Sequence, residues 1–249
     1  AQPVLDYVNA PDDSYAWEFE REETIGQTTV THLRVTSQTW RGITWTHRVQ
    51  LISPEGMSYP ETALMLITGG SPNAQELMLL GAATVGVSAP VVVLGDIPNQ
   101  PLFDNLREDA LIAYTFAQFL ESGEADWPLL FPMTKAAVRA MDAIEEYTAQ
   151  NWERPVTSFI TTGASKRGWT TWFTGAVAPE RLKGIVPMVY DNLDLPAQMR
   201  HQVETWGTYS EMIHDYTERG LPDLLATAEG RRLGAIVDPY SLHKRITMP

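Results

Sequence analysis

The chain has 249 residues with ordinary hydrophobic and aromatic fractions (44% and 10%), which excludes a disordered polymer and leaves room for one large core. Eighteen basic residues face 31 acidic ones, so the surface repels phosphate backbones and anionic lipid, and nucleic-acid and membrane partners are not expected. There is no cysteine, so disulfides and thiolate metal sites are excluded, and no apolar run reaches the ~18–20 residues of a membrane-spanning helix.

The first sixty residues read as antiparallel strands. Trp17 to Glu22, Thr28 to Thr36 and Trp45 to Ile52 favour extended structure, with turns at Gly26-Gln27 and Arg41-Gly42. Trp45, His47, Val49 and Leu51 share one face of the third strand, which makes His47 a satisfied strand residue rather than a ligand. From residue 61 the pattern alternates. Ala63 to Thr68 and Pro90 to Gly95 are short apolar runs, separated by Gly69-Gly70-Ser71-Pro72 and a helical stretch through Leu77 to Leu80. Arg107 to Glu121 and Lys135 to Gln150 have helical spacing, the second with Thr134 placed as its N-cap. A further strand is expected from Gly184 to Tyr190. Uninterrupted apolar strands between helices imply a mostly parallel sheet covered on both faces.

The most informative stretch is residues 156–178. A β-branched run, Val156 to Thr162, meets Gly163-Ala164-Ser165-Lys166-Arg167-Gly168, and a helical segment follows up to Pro179. This is the strand–turn–helix context in which a serine is held as a nucleophile, with small residues where strand and helix nearly collide. Ser165 is the expected nucleophile. Arg167 stands where G-x-S-x-G has its second glycine, and Gly168 follows one residue later, so the turn requires Arg167 to point outward. A phosphate-binding loop would share the Gly163 and Gly168 spacing, but Trp169 occupies the position of its lysine.

Other residues fall around that serine. The backbone N–H groups of Lys166 and Gly70 are the expected oxyanion donors. Asp191, at the end of the last strand, is a candidate acid. Trp127, Trp169 and Trp172 are candidates for a pocket that takes a bulky group, and at least one of them is expected in the core. Lys166 and Arg167 either draw an anionic substrate group or form salt bridges. His201, His214 and His243 follow Ser165 but lie in polar, helix-like stretches, so none is assigned as the general base. No metal or dinucleotide motif is present, and no cofactor is expected.

Several segments together resemble the PhoPQ-activated pathogenicity-related proteins, a branch of the α/β-hydrolase superfamily. They are Asp6-Tyr7-Val8, Leu66-Ile67-Thr68-Gly69-Gly70, Pro98-Asn99-Gln100-Pro101, Glu108-Asp109-Ala110-Leu111, Pro132-Met133-Thr134-Lys135, Gly163 to Trp172, Val186 to Asp191 and Val237-Asp238-Pro239-Tyr240-Ser241. The resemblance implies an exported protein, periplasmic or secreted, with a serine-hydrolase architecture. It also implies a domain that continues past Pro249 into strands carrying the catalytic acid and histidine. About five parallel-type strands are legible where the fold usually has about eight. The expectation is therefore a single α/β-hydrolase domain over residues 1–249, its C-terminal part absent and its sheet completed by a further segment or a second chain. Its activity would be carboxylic-ester hydrolysis; the alternatives are a serine peptidase and a non-catalytic binding or signalling protein on the same scaffold.

Overall fold

In the computed structural model, which describes residues 2–249, the chain folds around one seven-stranded mixed sheet ordered β1-β2-β3-β5-β4-β6-β7. Helix α1 (Gln2–Asn9) precedes the meander of β1 (Ala16–Ile25), β2 (Thr28–Trp40) and β3 (Ile43–Pro54), all antiparallel as the turn residues required. The rest alternates: β4 (Thr62–Ile67), α2 (Ala74–Val87), β5 (Val91–Leu94), α3 (Glu108–Ser122), α4 (Leu130–Asn151), β6 (Ser158–Ala164), α5 (Lys166–Val177) and β7 (Leu182–Met188). Strand β3 joins β5 antiparallel, and β5, β4, β6 and β7 run parallel, so four parallel strands are present rather than about five. Helices α6 (Leu195–Trp206), α7 (His214–Thr217), α8 (Leu221–Leu224) and α9 (Ala228–Val237) follow β7. This is the α/β-hydrolase fold.

The period-2 alternation of the strands divides the interior. Leu51, Met65, Val92, Leu94 and Phe159 pack on one face against α4 and α5, whereas Ile52, Val91 and Val93 pack on the other against Leu77 of α2. A strand buried on both faces has no polar side to show, which is why β4 and β5 read as continuous apolar runs. His47 is buried, bonded to Ser37 Oγ at 2.9 Å and to the Asp96 carbonyl at 3.2 Å, and burial pulls its imidazole down to about 4. It is a neutral core residue, as its strand face implied.

Three further expectations need correction. Thr134 caps nothing. Helix α4 starts at Leu130, and the Thr134 hydroxyl donates back to the Leu130 carbonyl from inside the helix. The apolar Leu130-Phe131 pair extends the helix N-terminally because both side chains have a core to enter. Second, residues 2–9 are helical, so the first sixty residues are not all strand and turn. Third, β7 stops at Met188, and Val189 turns at φ 46°, so Tyr190 belongs to the loop beyond the strand. On the outer side of β7 the Ile185 amide donates to the Pro249 carbonyl at 2.9 Å.

Candidate active site

Ile67 of β4 pairs with Gly163 of β6, and Ala164 pairs with Met188 of β7. The loops after these three parallel strands therefore emerge at one sheet edge, where a ligand site of this architecture belongs. Ser165 is the single residue between β6 and α5 and has φ 56° and ψ −122°. A non-glycine residue held there stores on the order of 1–3 kcal/mol of strain, which the surroundings must impose. They do so through backbone bonds. The Ser165 amide donates to the Met188 carbonyl at 2.9 Å, and the Ser165 carbonyl accepts from the Trp169 amide at 2.9 Å. The Ser165 side chain is left exposed at the mouth of a cavity.

The shifted glycine has a steric explanation. A Cβ on Gly168 would stand 2.7 Å from the Met188 carbonyl oxygen and 3.1 Å from the Tyr190 Cβ; one on Gly163 would stand 2.7 Å from the Arg167 carbonyl oxygen. Helix α5 crosses β6 and β7 at backbone contact, and the two glycines mark where. Arg167 can occupy the intervening position because its side chain leaves the crossing and lies against Gly69.

That side chain is fully engaged. Arg167 donates through Nε to the Ile97 carbonyl at 2.7 Å and through both terminal nitrogens to the two carboxylate oxygens of Glu108, at 2.8 and 2.7 Å. Lys166 Nζ lies 2.9 Å from both Glu108 and Asp109. The two cations beside the serine are thus neutralised by the two acids that open α3, and the salt-bridge alternative describes both of them. Burial by itself pushes the Glu108 carboxyl up, but bonds from Arg167, Lys166 and Gln100 outweigh it and hold the group at about 2. Burial alone would lower the Lys166 ammonium, and the same acids raise it instead.

Glu108→Gln is expected to loosen this clamp. Removing one partner of a fully buried ion pair costs ~3–5 kcal/mol. Because the Glu108 side chain is 39% exposed, about 1–2 kcal/mol is expected by urea denaturation at neutral pH. A depressed folded-state carboxyl stabilises the fold above the unfolded value of about 4.3, and that contribution disappears as pH falls toward 2. The stability difference between the native protein and the variant should therefore shrink between about pH 4 and pH 2.

The cavity beside Ser165 has a volume of about 330 Å³. Lys166, Trp169, Tyr190, Tyr216 and Asp109 contribute to its wall, and the helices after β7 close it with Leu195, Met199, Leu221, Leu233 and Val237. The Trp169 and Tyr190 rings stack at 4.8 Å, Phe116 meets Trp169 edge-on at 5.8 Å, and the Trp169 indole donates to the Val237 carbonyl at 2.7 Å. Tyr216 donates to Asp109 at 3.0 Å.

The other candidates lie as follows. Gly70 does not line this cavity. It lines a separate hollow of about 410 Å³ with Pro72 and Leu79, and its amide faces Thr68 Oγ1 at 3.5 Å. Asp191 is exposed in the loop after β7, and the cavity is lined by its neighbour Asn192. Trp127 packs among Trp40, Phe103 and Tyr114 with the Arg41 guanidinium 4.1 Å above its ring, away from the cavity wall. Trp172 donates to the Tyr190 carbonyl at 3.1 Å. His201 meets Thr205, His214 meets Glu211 and Asp215, and His243 meets the Tyr240 carbonyl. Among the described residues no histidine hydrogen-bonds the Ser165 hydroxyl.

Sequence reasoning missed the places of Glu108, Asp109, Tyr190 and Tyr216 beside Ser165. Two adjacent cations in a chain with only four lysines were the available signal that paired counter-ions must lie nearby.

Comparison with known proteins gives a family and a fold. Residues 4–249 match the family model described as PhoPQ-activated pathogenicity-related protein. Autocrine proliferation repressor protein A of Dictyostelium discoideum is 38% identical over 275 residues, covering 99% of this chain and 53% of that protein. The chain thus spans about half the length of this curated relative. Among solved structures, acetyl xylan esterase 1 from Thermoanaerobacterium sp. JW/SL YS485 superposes with a TM-score of 0.60 at 16% identity, covering 99% of this chain and 74% of the other. An acetyl xylan esterase from Paenibacillus sp. R4 gives 0.58 at 13% identity, with 99% and 75% covered. An S-formylglutathione hydrolase from Agrobacterium tumefaciens gives 0.51 at 15% identity, with 93% and 76% covered.

Proposed function

Because the chain belongs to the PhoPQ-activated pathogenicity-related protein family, with esterases and a thioester-named hydrolase as its structural neighbours, we propose that it is an exported serine hydrolase acting on carboxylic esters. The observation that carries this reading is the backbone of Ser165: φ 56° between a parallel strand and a helix, with the side chain at a cavity mouth. The hydroxyl oxygen attacks the ester carbonyl carbon, its proton passes to a base, and the alcohol leaves with a proton to give an acyl-serine. Water then releases the acid. The amide of Lys166, among the first N–H groups of α5 and without an intrahelical acceptor, is the oxyanion donor. The base and its acid partner are supplied from outside residues 2–249, by a further segment or a second chain, since the described histidines are engaged elsewhere.

The test is hydrolysis of 4-nitrophenyl acetate by the native protein with the further segment or second chain that supplies the base in place. A histidine base predicts kcat/KM rising through a single ionisation between about pH 6 and 8. No turnover above the buffer rate would refute the reading. A second reading, a signalling protein on the hydrolase scaffold, is favoured by the name of the Dictyostelium relative, a proliferation repressor. It predicts no turnover, with Ser165→Ala leaving the signalling response intact.

A further inference from the structure

The Ser165 cavity has a chemistry of its own. Its volume of about 330 Å³ lies in the range of small-ligand sites, whereas a water-sized group occupies about 30 Å³. An acetyl group, with three heavy atoms, would leave most of it unfilled. The wall is aromatic and aliphatic: the stacked Trp169 and Tyr190, Phe116, and side chains from α6 and α9. Its charges are already matched, because Lys166 is paired with both Glu108 and Asp109, and Asp109 also accepts from Tyr216. Among the described wall residues no cation is left over to attract an anionic ligand.

The Tyr190 hydroxyl has no hydrogen-bond partner among the described residues but is fully covered, so the ring stacked on Trp169 is what Tyr190 offers to the wall.

We propose that this cavity binds the aromatic-sized apolar part of a neutral ester. The assignment deepens the ester-hydrolase reading and rests on it. It selects against esters that carry no aromatic-sized group and against anionic substrates.

The test is calorimetric titration of the Ser165→Ala protein, in which bound esters are not consumed, with methyl acetate and methyl cinnamate. Methyl cinnamate is expected to bind at least tenfold more tightly than methyl acetate. Leu233→Trp should fill the cavity and abolish cinnamate binding, with an unchanged melting temperature of the variant as the control for folding. Equal binding of methyl acetate and methyl cinnamate, or cinnamate binding that survives Leu233→Trp, would overturn the proposal. If methyl cinnamate binds as expected but the native protein hydrolyses no ester, the cavity assignment stands and the hydrolase reading falls. If the native protein hydrolyses methyl acetate but no cinnamate binds, the cavity assignment falls and the hydrolase reading stands.

Discussion

Ser165→Ala is expected to lower ester turnover by several orders of magnitude, toward the ~10⁶-fold loss seen where a nucleophile acts as a unit with its base. The substitution removes one oxygen from a side chain at the surface of the turn and touches no packed atom, so the fold should be unchanged. Alanine also has no better access to φ 56° than serine, and stability should shift by less than about 1 kcal/mol. Turnover and melting temperature are measured on the same sample. A loss below tenfold would place the nucleophile elsewhere.

Gly168→Val is expected to be the most destabilising single change at the site. The new Cβ would lie 2.7 Å from the Met188 carbonyl oxygen, 3.0 Å from that of Gly163 and 3.1 Å from the Tyr190 Cβ. Two of these neighbours are backbone, so relief requires helix α5 to move off the sheet. Overpacking a well-packed interior costs ~1–3 kcal/mol, and a backbone collision belongs at or above the top of that range. At about 2–4 °C per kcal/mol for a chain of this size, a drop of roughly 6–12 °C in Tm is expected. Activity should fall further than stability does, because the serine turn is built on the same crossing. Gly86→Ala is the control. Gly86 lies in α2 with nothing within 4 Å of a built Cβ, and alanine there should be neutral or stabilise by ~0.5–1 kcal/mol.

What could be read from the sequence follows from which interactions are local. The strand–turn–helix around Ser165 is specified within a dozen residues, and the two glycines announce a close crossing whatever the rest of the chain does. The antiparallel opening and the apolar β4 and β5 are equally local, since alternation and its absence report directly on how many faces are buried. Glu108 and Asp109 lie more than fifty residues before Lys166 and Arg167, so no spacing rule connects them; they meet only because α3 begins beside α5. The start of α4 is hidden for a related reason. Thr134 has the chemistry of a cap, but a threonine hydroxyl can also bond back within a helix, and tertiary packing of Leu130 and Phe131 decides between the two. The cavity is the least legible feature. Its wall is drawn from α3, α5, the loop after β7 and the four helices beyond it, none of which carries a period or motif that names its neighbours.

The central claim is that Ser165 is an activated nucleophile, and reaction with a fluorophosphonate tests it most directly, since an ordinary serine hydroxyl does not react. The native protein, with the segment or second chain that supplies the base in place, is incubated with the probe, digested, and the modified peptide located by mass spectrometry. One adduct per chain is predicted on the peptide containing Gly163-Ala164-Ser165, absent in Ser165→Ala and diminished by prior incubation with an ester substrate. An unlabelled Ser165, or an adduct on another residue that persists in Ser165→Ala, would contradict it.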